Sequence, residues 1–344
     1  MANGTKICLI LYNILFDGPD PYAEGFDSTA DSRTDVGDIR KLLREKGFET
    51  RTLGLRRINS KIIAKIEEIN PDFIFNLCEG LNGRSQAEMY VASVLELLKI
   101  PYTGSPPLAL GLGLNKIKTK QILYSKGIPT PKFVIALPDE TFSLNALTPP
   151  YIVKPVREDG SAGISKDSVV NDLDSAMEKV VYIHQTLNQP ALIEEFIDGR
   201  EFNVTVLDDE KEKLVAINEI DFSKLPKGEI RILSYESKWN PKSPLYTGTP
   251  LICPAEVEPH LKAKIEKVAV NVFKEIGCRD YARVDMRVSD KGRIYVLEVN
   301  PNPDIGIDSE LSRSLLAQGI QCADWVERVA NFALKRGSKE MFSR

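Results

Sequence analysis

Short apolar runs alternate with amphipathic segments over the first hundred residues. The predicted strands are KICLIL, FETRTLGL and DFIFNL, and the predicted helices cover residues 35–46, 59–69 and 86–98. Strands that alternate with helices pair in parallel and carry helices on both faces of the sheet. We therefore expect residues 1–111 to form a doubly wound α/β domain, with ligands bound at the carboxyl ends of its strands.

Two further domains are expected after residue 111. Residues 112–197 predict helices over 114–126 and 172–187, the antiparallel strands KFVIA, YIVKPV and ALIEEFI, and the loop REDGSAGIS. Residues 198–344 predict the strands EFNVTVLD and KLVAINEI, an irregular section over 222–254, a helix over 256–276 and a hairpin over 281–300. An irregular section this long in a compact domain is usually functional.

Composition removes several classes of function. The 45 basic and 49 acidic residues give a net charge of -4, which supplies no field to attract nucleic acid or an anionic membrane. The five cysteines are odd in number and contain no CxxC pair, which argues against a zinc ribbon or disulfide framework and favours a reducing cytoplasm. No apolar run reaches the length of a membrane helix. With only two histidines, the chemistry is expected to use carboxylates, lysines, arginines and bound ions.

The most informative segment is the hairpin YARVDMRVSDKGRIYVLEVNPNP at 281–303. Its alternation puts a charged set on one face of the first strand, namely Arg283, Asp285 and Arg287. If Ser289 pairs with Gly292, Arg283 faces Glu298, Asp285 lies on the adjacent diagonal and Asn300 stands further along the same side.

Two interpretations of this charged face stay open. It is either a solvent-facing surface with weak cross-strand salt bridges or a site for a hard divalent cation. The oxygens of Asp285, Glu298 and Asn300 suit magnesium, which binds one or two carboxylates and completes its octahedron with water and phosphate oxygens.

Seven motifs in register resemble those of the D-alanine–D-alanine ligases in the ATP-grasp superfamily. They are ELLKIPYTGS, the lysine of NKIKTK, IVKPVREDGSAGIS, LIEEFIDGREFNV, YESKW, GCRDYARVDMR and LEVNPNP. The resemblance implies an ATP-grasp fold, in which a doubly wound domain is followed by two α+β domains that clasp ATP between antiparallel sheets.

The same resemblance implies a set of site residues. Lys116 and Lys154 would hold the phosphates, and Gly160 and Ser161 would belong to the loop that covers them. Glu194, Phe196 and Ile197 would line the base, and Glu201 would bind the ribose. Lys238 would contact the phosphates from the lid. Asp285, Glu298 and Asn300 would bind Mg²⁺, with two ions expected and Mn²⁺ as an alternative, and Arg283 would stabilise charge on the reacting carboxylate. ATP and magnesium are thus the implied cofactors.

The substrate half departs from the family pattern. A Glu-Val-Ser motif is absent after the first strand, Asn82 falls where the family has a histidine, and Gly160 falls where it has a serine. Glu79, Asn82, Asp304 and Ser309 are the candidate substrate contacts. Glu88, Asp31 and Asp35 could, like Glu79, contact an ammonium group in place of the missing family residues. The nucleotide half is retained and the acceptor half is rewritten.

Three functions follow as alternatives. The first is an ATP-dependent ligase that joins an amino acid or other small carboxylic acid to an amine through an acyl phosphate, with an altered substrate pocket. The second is an authentic D-alanine–D-alanine ligase of cell-wall synthesis, and the third is a non-catalytic nucleotide-binding regulator on the same fold. Family habit adds a homodimer, and no nucleic acid or membrane partner is expected.

Overall fold

The computed structural model describes residues 5–14, 34–81, 84–209 and 212–342. The described residues form a parallel sheet and two antiparallel sheets. Every helix in this part of the chain is too short or too polar to span a bilayer.

The first sheet is parallel, with strand order β2-β1-β3, as the alternating pattern predicts. Its strands are β1 (Ile7–Asn13), β2 (Glu49–Leu55) and β3 (Phe73–Leu77), and the neighbouring helices are α1 (Thr34–Glu45), α2 (Ser60–Ile69) and α3 (Glu88–Leu97). The segment IPYTGS adds only a single parallel bridge, between Tyr102 and Ile74. The carboxyl ends of β1 and β3 open onto a cleft lined by Asn13, Leu77 and Glu79.

The second sheet is antiparallel, also as predicted, in the order β4-β7-β5-β6. Its strands are β4 (Phe133–Ala136), β5 (Tyr151–Pro155), β6 (Val169–Val170) and β7 (Ala191–Glu195), and the helices of this region are α4 (Pro107–Gly113), α5 (Lys116–Ser125) and α6 (Leu173–Tyr182). Asn115 caps the start of α5 by accepting from Lys118 N. This cap fixes where Lys116 enters the helix.

The third sheet is antiparallel in the order β10-β9-β8-β11-β12. Its strands are β8 (Arg200–Leu207), β9 (Leu214–Ile220), β10 (Leu251–Ile252), β11 (Tyr281–Val288) and β12 (Ile294–Asn300), and its helices are α7 (Tyr235–Trp239), α8 (Pro244–Thr247) and α9 (Pro259–Ile276). The section 222–254, predicted to be irregular, contains the two short helices α7 and α8 and strand β10.

Strand β11 is buried on both faces. Val284, Met286 and Val288 join one hydrophobic cluster with Phe273 of α9. The opposite face carries Arg283, Asp285 and Arg287, which are at most 8% exposed. The solvent-facing interpretation of this charged face is therefore wrong.

The predicted hairpin register is also wrong, for two local reasons. Gly292 adopts a φ of +71° and Ser289 N donates to Arg293 O at 3.0 Å, so the turn contains three residues instead of two. A bulge then shifts the register between Asp285 and Met286, with Leu297 as the extra residue. As a result Asp285 faces Glu298 directly, and Arg283 faces Asn300.

Two helices that the pattern did not predict follow the hairpin, α10 (Glu310–Leu316) and α11 (Cys322–Phe342). Trp325 and Val329 of α11 are fully buried in a cluster with Ile10 and Phe75 of the first sheet. The end of the chain thus returns to cover the sheet with which it began.

Fully buried Asp280 connects α11 to the residues after β3. Arg336 donates to its two carboxylate oxygens at 2.6 and 2.8 Å, and Gly104 N donates at 2.8 Å. Arg336 also donates to Tyr102 O at 2.7 Å. These bonds hold the first sheet against the start of β11.

We predict that Arg336→Met lowers the free energy of unfolding by about 2 kcal/mol, because a buried carboxylate loses its charged donors. The side chain of Arg336 is 27% exposed, so solvent screening keeps the cost below that of a fully buried pair. Urea denaturation measures the loss in free energy of unfolding. Lys262→Met, which removes an exposed pair with Glu266, is the control and should cost under about 0.5 kcal/mol. Equal costs for the two variants would contradict this interpretation of Asp280.

Candidate active site

A cleft lies between the second and third sheets. It is lined by ten of the predicted residues, namely Lys154, Ser161, Glu194, Phe196, Ile197, Glu201, Lys238, Arg283, Asp285 and Glu298. A second compartment shares Lys238 and Arg283 with the first and adds Glu79, Gly160, Asn300 and Asp304. The predicted nucleotide and substrate residues therefore line adjoining spaces.

Glu194 and two lysines form a buried group at the floor of the cleft. One oxygen of Glu194 pairs with Lys154 and the other with Lys120, and each of the three side chains is at most 7% exposed. Burial would raise the pKa of Glu194, but Lys120 and Lys154 hold it below its ordinary value. Glu194, predicted to contact the base, therefore also fixes the Nζ of Lys154.

Lys120 was not predicted as a site residue. Burial, the largest effect, lowers its pKa to about 8. A signal was present in the sequence, because Lys116 and Lys120 are four residues apart and so lie on one face of α5. The same face carries Thr119 and Leu123, and a second lysine turned inward beside them indicates a buried partner.

Lys116 lies above this group and contacts β12. Its Nζ is 3.2 Å from Glu298 Oε2 and donates to Glu158 O at 2.5 Å. Burial would raise the pKa of Glu298, but Lys116, Lys154 and Arg283 together lower it to about 2. Glu298 is therefore a carboxylate, and it can coordinate a cation.

Arg283 and Asp285 form a bidentate pair at the junction of the two compartments. Arg283 Nε and Nη2 donate to Asp285 at 2.8 and 2.9 Å, and Asn203 Nδ2 donates at 3.1 Å. Burial, together with nearby Glu298 and Glu310, raises the pKa of Asp285 to about 6 against the opposing effect of Arg283. Arg283 Nη1 also lies 3.5 Å from Glu310 Oε2.

The donor set fits a magnesium ion. Asp285 and Glu298 are direct cross-strand neighbours with side chains 10% and 25% exposed, and two carboxylates side by side favour a shared cation. Asn300, two residues beyond Glu298 on β12, donates through Nδ2 to Asp159 at 3.1 Å and accepts from Asn302 N at 2.8 Å. Among the described residues no group of three or more His, Cys, Asp and Glu side chains could hold a metal. The remaining ligands would thus be amide, water and phosphate oxygens, as magnesium prefers.

The phosphate loop is tied to the section 222–254. Gly160 and Ser161 adopt φ values of +60° and +62°. Ser161 Oγ donates to Leu233 O at 2.8 Å, and Trp239 Nε1 donates to Gly160 O at 2.8 Å. Lys238, beside Trp239, lines both compartments. The loop and the predicted lid are therefore one connected unit.

The predicted substrate residues have different environments. Glu79 and Asp304 line the second compartment and a third one beyond it. Ser309 instead caps α10, where its Oγ accepts from Ser312 N at 3.1 Å. Asn82 and the rewritten segment 15–33 lie outside the described residues.

Glu88, an expected ammonium contact, lines the substrate end together with two residues that the sequence analysis missed, Asn302 and Glu310. Glu88 is 6% exposed and accepts from Asn302 Nδ2 at 3.1 Å. Burial raises its pKa to about 8, and Asp159 and Glu79 add to the shift. Glu88 lies at the start of a predicted helix, and nothing in its local pattern marks a buried charge.

We predict that Glu194→Gln lowers the free energy of unfolding by about 3–5 kcal/mol, because it leaves two buried lysines without their shared counter-charge. Thermal or urea unfolding measures the loss. The matched control is Glu195→Gln on the adjacent residue, whose carboxylate is 18% exposed and lies 3.8 Å from Lys132. That change should cost less than about 1 kcal/mol. A Glu194→Gln protein as stable as the control would show that the buried group is not ionised.

A family model and two known proteins match most of this chain. The family model described as the D-ala D-ala ligase C-terminus matches residues 122–331. A D-alanine–D-alanine ligase of Carboxydothermus hydrogenoformans is 31% identical over 92% of this chain and 97% of that protein. An uncharacterised protein of Sinorhizobium fredii is 32% identical over 76% of this chain and 75% of that protein.

A solved structure matches the fold over nearly the full length. The D-alanine–D-alanine ligase of Bacillus anthracis in complex with ATP has a TM-score of 0.72 and 22% identity, and the match covers 98% of this chain and 100% of that one. This likeness confirms the predicted ATP-grasp fold. Because the family region covers more than half of the sequence and the Carboxydothermus hydrogenoformans ligase aligns almost end to end, this chain belongs to the D-alanine–D-alanine ligase family.

Proposed function

We propose that this chain is an ATP-dependent carboxylate–amine ligase whose substrate pocket differs from that of D-alanine–D-alanine ligases. One observation carries the proposal: Arg283 lines both the nucleotide cleft and the acidic substrate compartment. Its guanidinium is held by Asp285 on one side and by Glu310 on the other. A fixed cation at this junction is what transfer of a phosphoryl group between two bound molecules requires.

The first step would join the acid to phosphate. A carboxylate oxygen of the acid attacks the γ-phosphorus of ATP, the bond to the β–γ bridging oxygen breaks, and ADP leaves. Lys116 and Lys154 are the candidate phosphate contacts, since each ends in a charged ammonium beside the cleft. Asp285, Glu298 and Asn300 would hold magnesium, which neutralises charge on the phosphates when bound.

The second step would form the amide. The amine nitrogen attacks the carbonyl carbon of the acyl phosphate, the bond to the phosphate oxygen breaks, and the nitrogen loses a proton. Arg283 would stabilise the negative oxygen of the tetrahedral intermediate. The connected phosphate loop and lid would exclude water, which otherwise hydrolyses an acyl phosphate.

An altered pocket is supported by the carboxylates around the second compartment. Glu88 is buried beside a neutral amide, with Asp159 and Glu79 as the charges that further raise its pKa. A buried carboxylate in such surroundings gains most from an ammonium group. We therefore propose that Glu88 and Glu310 face the amine-bearing part of the substrates, in place of the family contacts that this sequence lacks.

An authentic D-alanine–D-alanine ligase is the second candidate. It is favoured by the 31% identity to such an enzyme along almost the whole chain. The regulator is disfavoured, because a protein that only binds nucleotide does not need Arg283 and Glu310 at the substrate end. All five cysteines are free, which fits work in a reducing cytoplasm.

The protein can be incubated with ATP, magnesium and a panel of amino acids, small carboxylic acids and amines. We predict that it releases phosphate and forms an amide in which at least one of the two joined molecules is not D-alanine. Phosphate release and mass detection of products measure this. D-Alanyl-D-alanine as the main product would select the second candidate instead. Absence of ADP formation with every acid, despite nucleotide binding, would contradict the ligase proposal.

We predict that Arg283→Ala lowers turnover on the order of a hundredfold or more, because a charge donor to the intermediate is lost. Nucleotide affinity, measured by calorimetry with a non-hydrolysable ATP analogue, should change little. Arg283→Lys, which keeps the charge without the bidentate fork, should recover part of the rate. Turnover equal to that of the unmodified protein would remove Arg283 from the mechanism.

A further inference from the structure

Arg287 is a buried arginine in the lining of the nucleotide cleft. It lies on β11, directly opposite Glu201 on β8, and is 3% exposed. Its Nε and Nη2 donate to Glu201 Oε2 at 2.9 and 2.7 Å. Its Nη1 donates to Ile197 O at 2.7 Å, and its Nη2 also donates to Arg231 O.

The flat faces of the Arg287 guanidinium are covered as well. The ring centroid of Phe196 is 5.0 Å from Arg287 Cζ and that of Phe222 is 5.5 Å away. Cation–π contacts of this kind stabilise a guanidinium more strongly when water is excluded. Lysine cannot reproduce them together with a planar fork of donors.

These contacts join three parts of the cleft. Phe196 and Ile197 follow β7 in the segment predicted to meet the base, whereas Phe222 and Arg231 belong to the section 222–254 that forms the predicted lid. Glu201 is the predicted ribose contact. One buried cation thus holds the base segment, the ribose carboxylate and the lid in a single arrangement.

The pairing leaves half of Glu201 available. Both bonds from Arg287 fall on Oε2, and within the described residues no hydrogen bond is made to Oε1. Glu201 is 7% exposed and lines the cleft. The bonds from Arg287 therefore fix where this carboxylate lies in the cleft.

We infer that Arg287 is a positioning residue for nucleotide selection: it fixes Glu201 so that Oε1 accepts hydrogen bonds from the ribose hydroxyls. The inference rests on the proposed use of ATP. Selection between ATP and nucleotides that lack a ribose hydroxyl then depends on Arg287, although Arg287 itself does not contact the sugar.

The test compares binding of ATP, 2′-deoxy-ATP and 3′-deoxy-ATP with magnesium, by calorimetry and without an acid substrate. The unmodified protein should bind ATP about tenfold more tightly than at least one deoxynucleotide, because a charged acceptor loses its donor. Arg287→Met, which keeps a long apolar stem, should weaken ATP binding and bring that ratio close to one. Arg287→Lys should restore only part of it.

Arg200→Met is the matched control. Arg200 lies on β8 in the same sheet and makes a bidentate pair with Glu219, at 2.6 Å for both bonds, but is absent from the cleft lining. This variant should prefer ATP over the deoxynucleotide as strongly as the unmodified protein does. If Arg287→Met does not fold, Glu201→Gln is tested in its place, and this variant should lose the preference for ATP over the deoxynucleotide. Adding Arg287→Lys to Glu201→Gln should not change the preference further, because both substitutions act through one carboxylate.

The outcomes separate the inference from the proposed function. Full selection by Arg287→Met would overturn the positioning role, and so would full selection by Glu201→Gln where Arg287→Met does not fold. Equal binding of ATP and both deoxynucleotides by the unmodified protein would also overturn it and leave the ligase proposal standing. Failure to bind any of the nucleotides would instead overturn the proposed function.

Discussion

The constraint on which the rest of the structure depends is that β11 carries charge on one face while both of its faces are buried. Its apolar face packs against α9, so its alternation turns Arg283, Asp285 and Arg287 toward the second sheet. An unpaired charge in such a place costs several kcal/mol, and each of the three therefore has an oppositely charged partner. Arg283 pairs with Asp285, and Arg287 pairs with Glu201.

The same rule explains the surrounding residues. Lys116 pairs with Glu298, and Lys120 and Lys154 share Glu194, so that the lysines are oriented by carboxylates. Such pairs add little net stability when compared with a well-packed apolar core. Their value lies in presenting several fixed charges to one cleft. A triphosphate with its metal carries the charges that such a set of lysines and carboxylates can hold.

The sequence predicted the fold better than it predicted the partners inside the cleft. Periodicity identified the parallel sheet, the antiparallel strands and the charged hairpin, because each depends on local alternation. The register failed because neither the three-residue turn at Gly292 nor the bulge at Leu297 changes the alternation near it. Arg287 was missed because its partner Glu201 lies 86 residues away and only the sheet brings them together. In the observed register Asp285 lies directly opposite Glu298, whereas the predicted register put it on the diagonal. The observed arrangement favours a shared magnesium ion more than the predicted one does.

We propose that Asp285 and Glu298 together hold a divalent ion against a bound nucleotide. Electron paramagnetic resonance of Mn²⁺ can test this, with free Mn²⁺ measured in the presence and absence of a non-hydrolysable ATP analogue. The analogue should tighten Mn²⁺ binding to the unmodified protein, and Asp285→Asn combined with Glu298→Gln should abolish this tightening. Undiminished nucleotide-dependent Mn²⁺ binding in the folded double variant would contradict it.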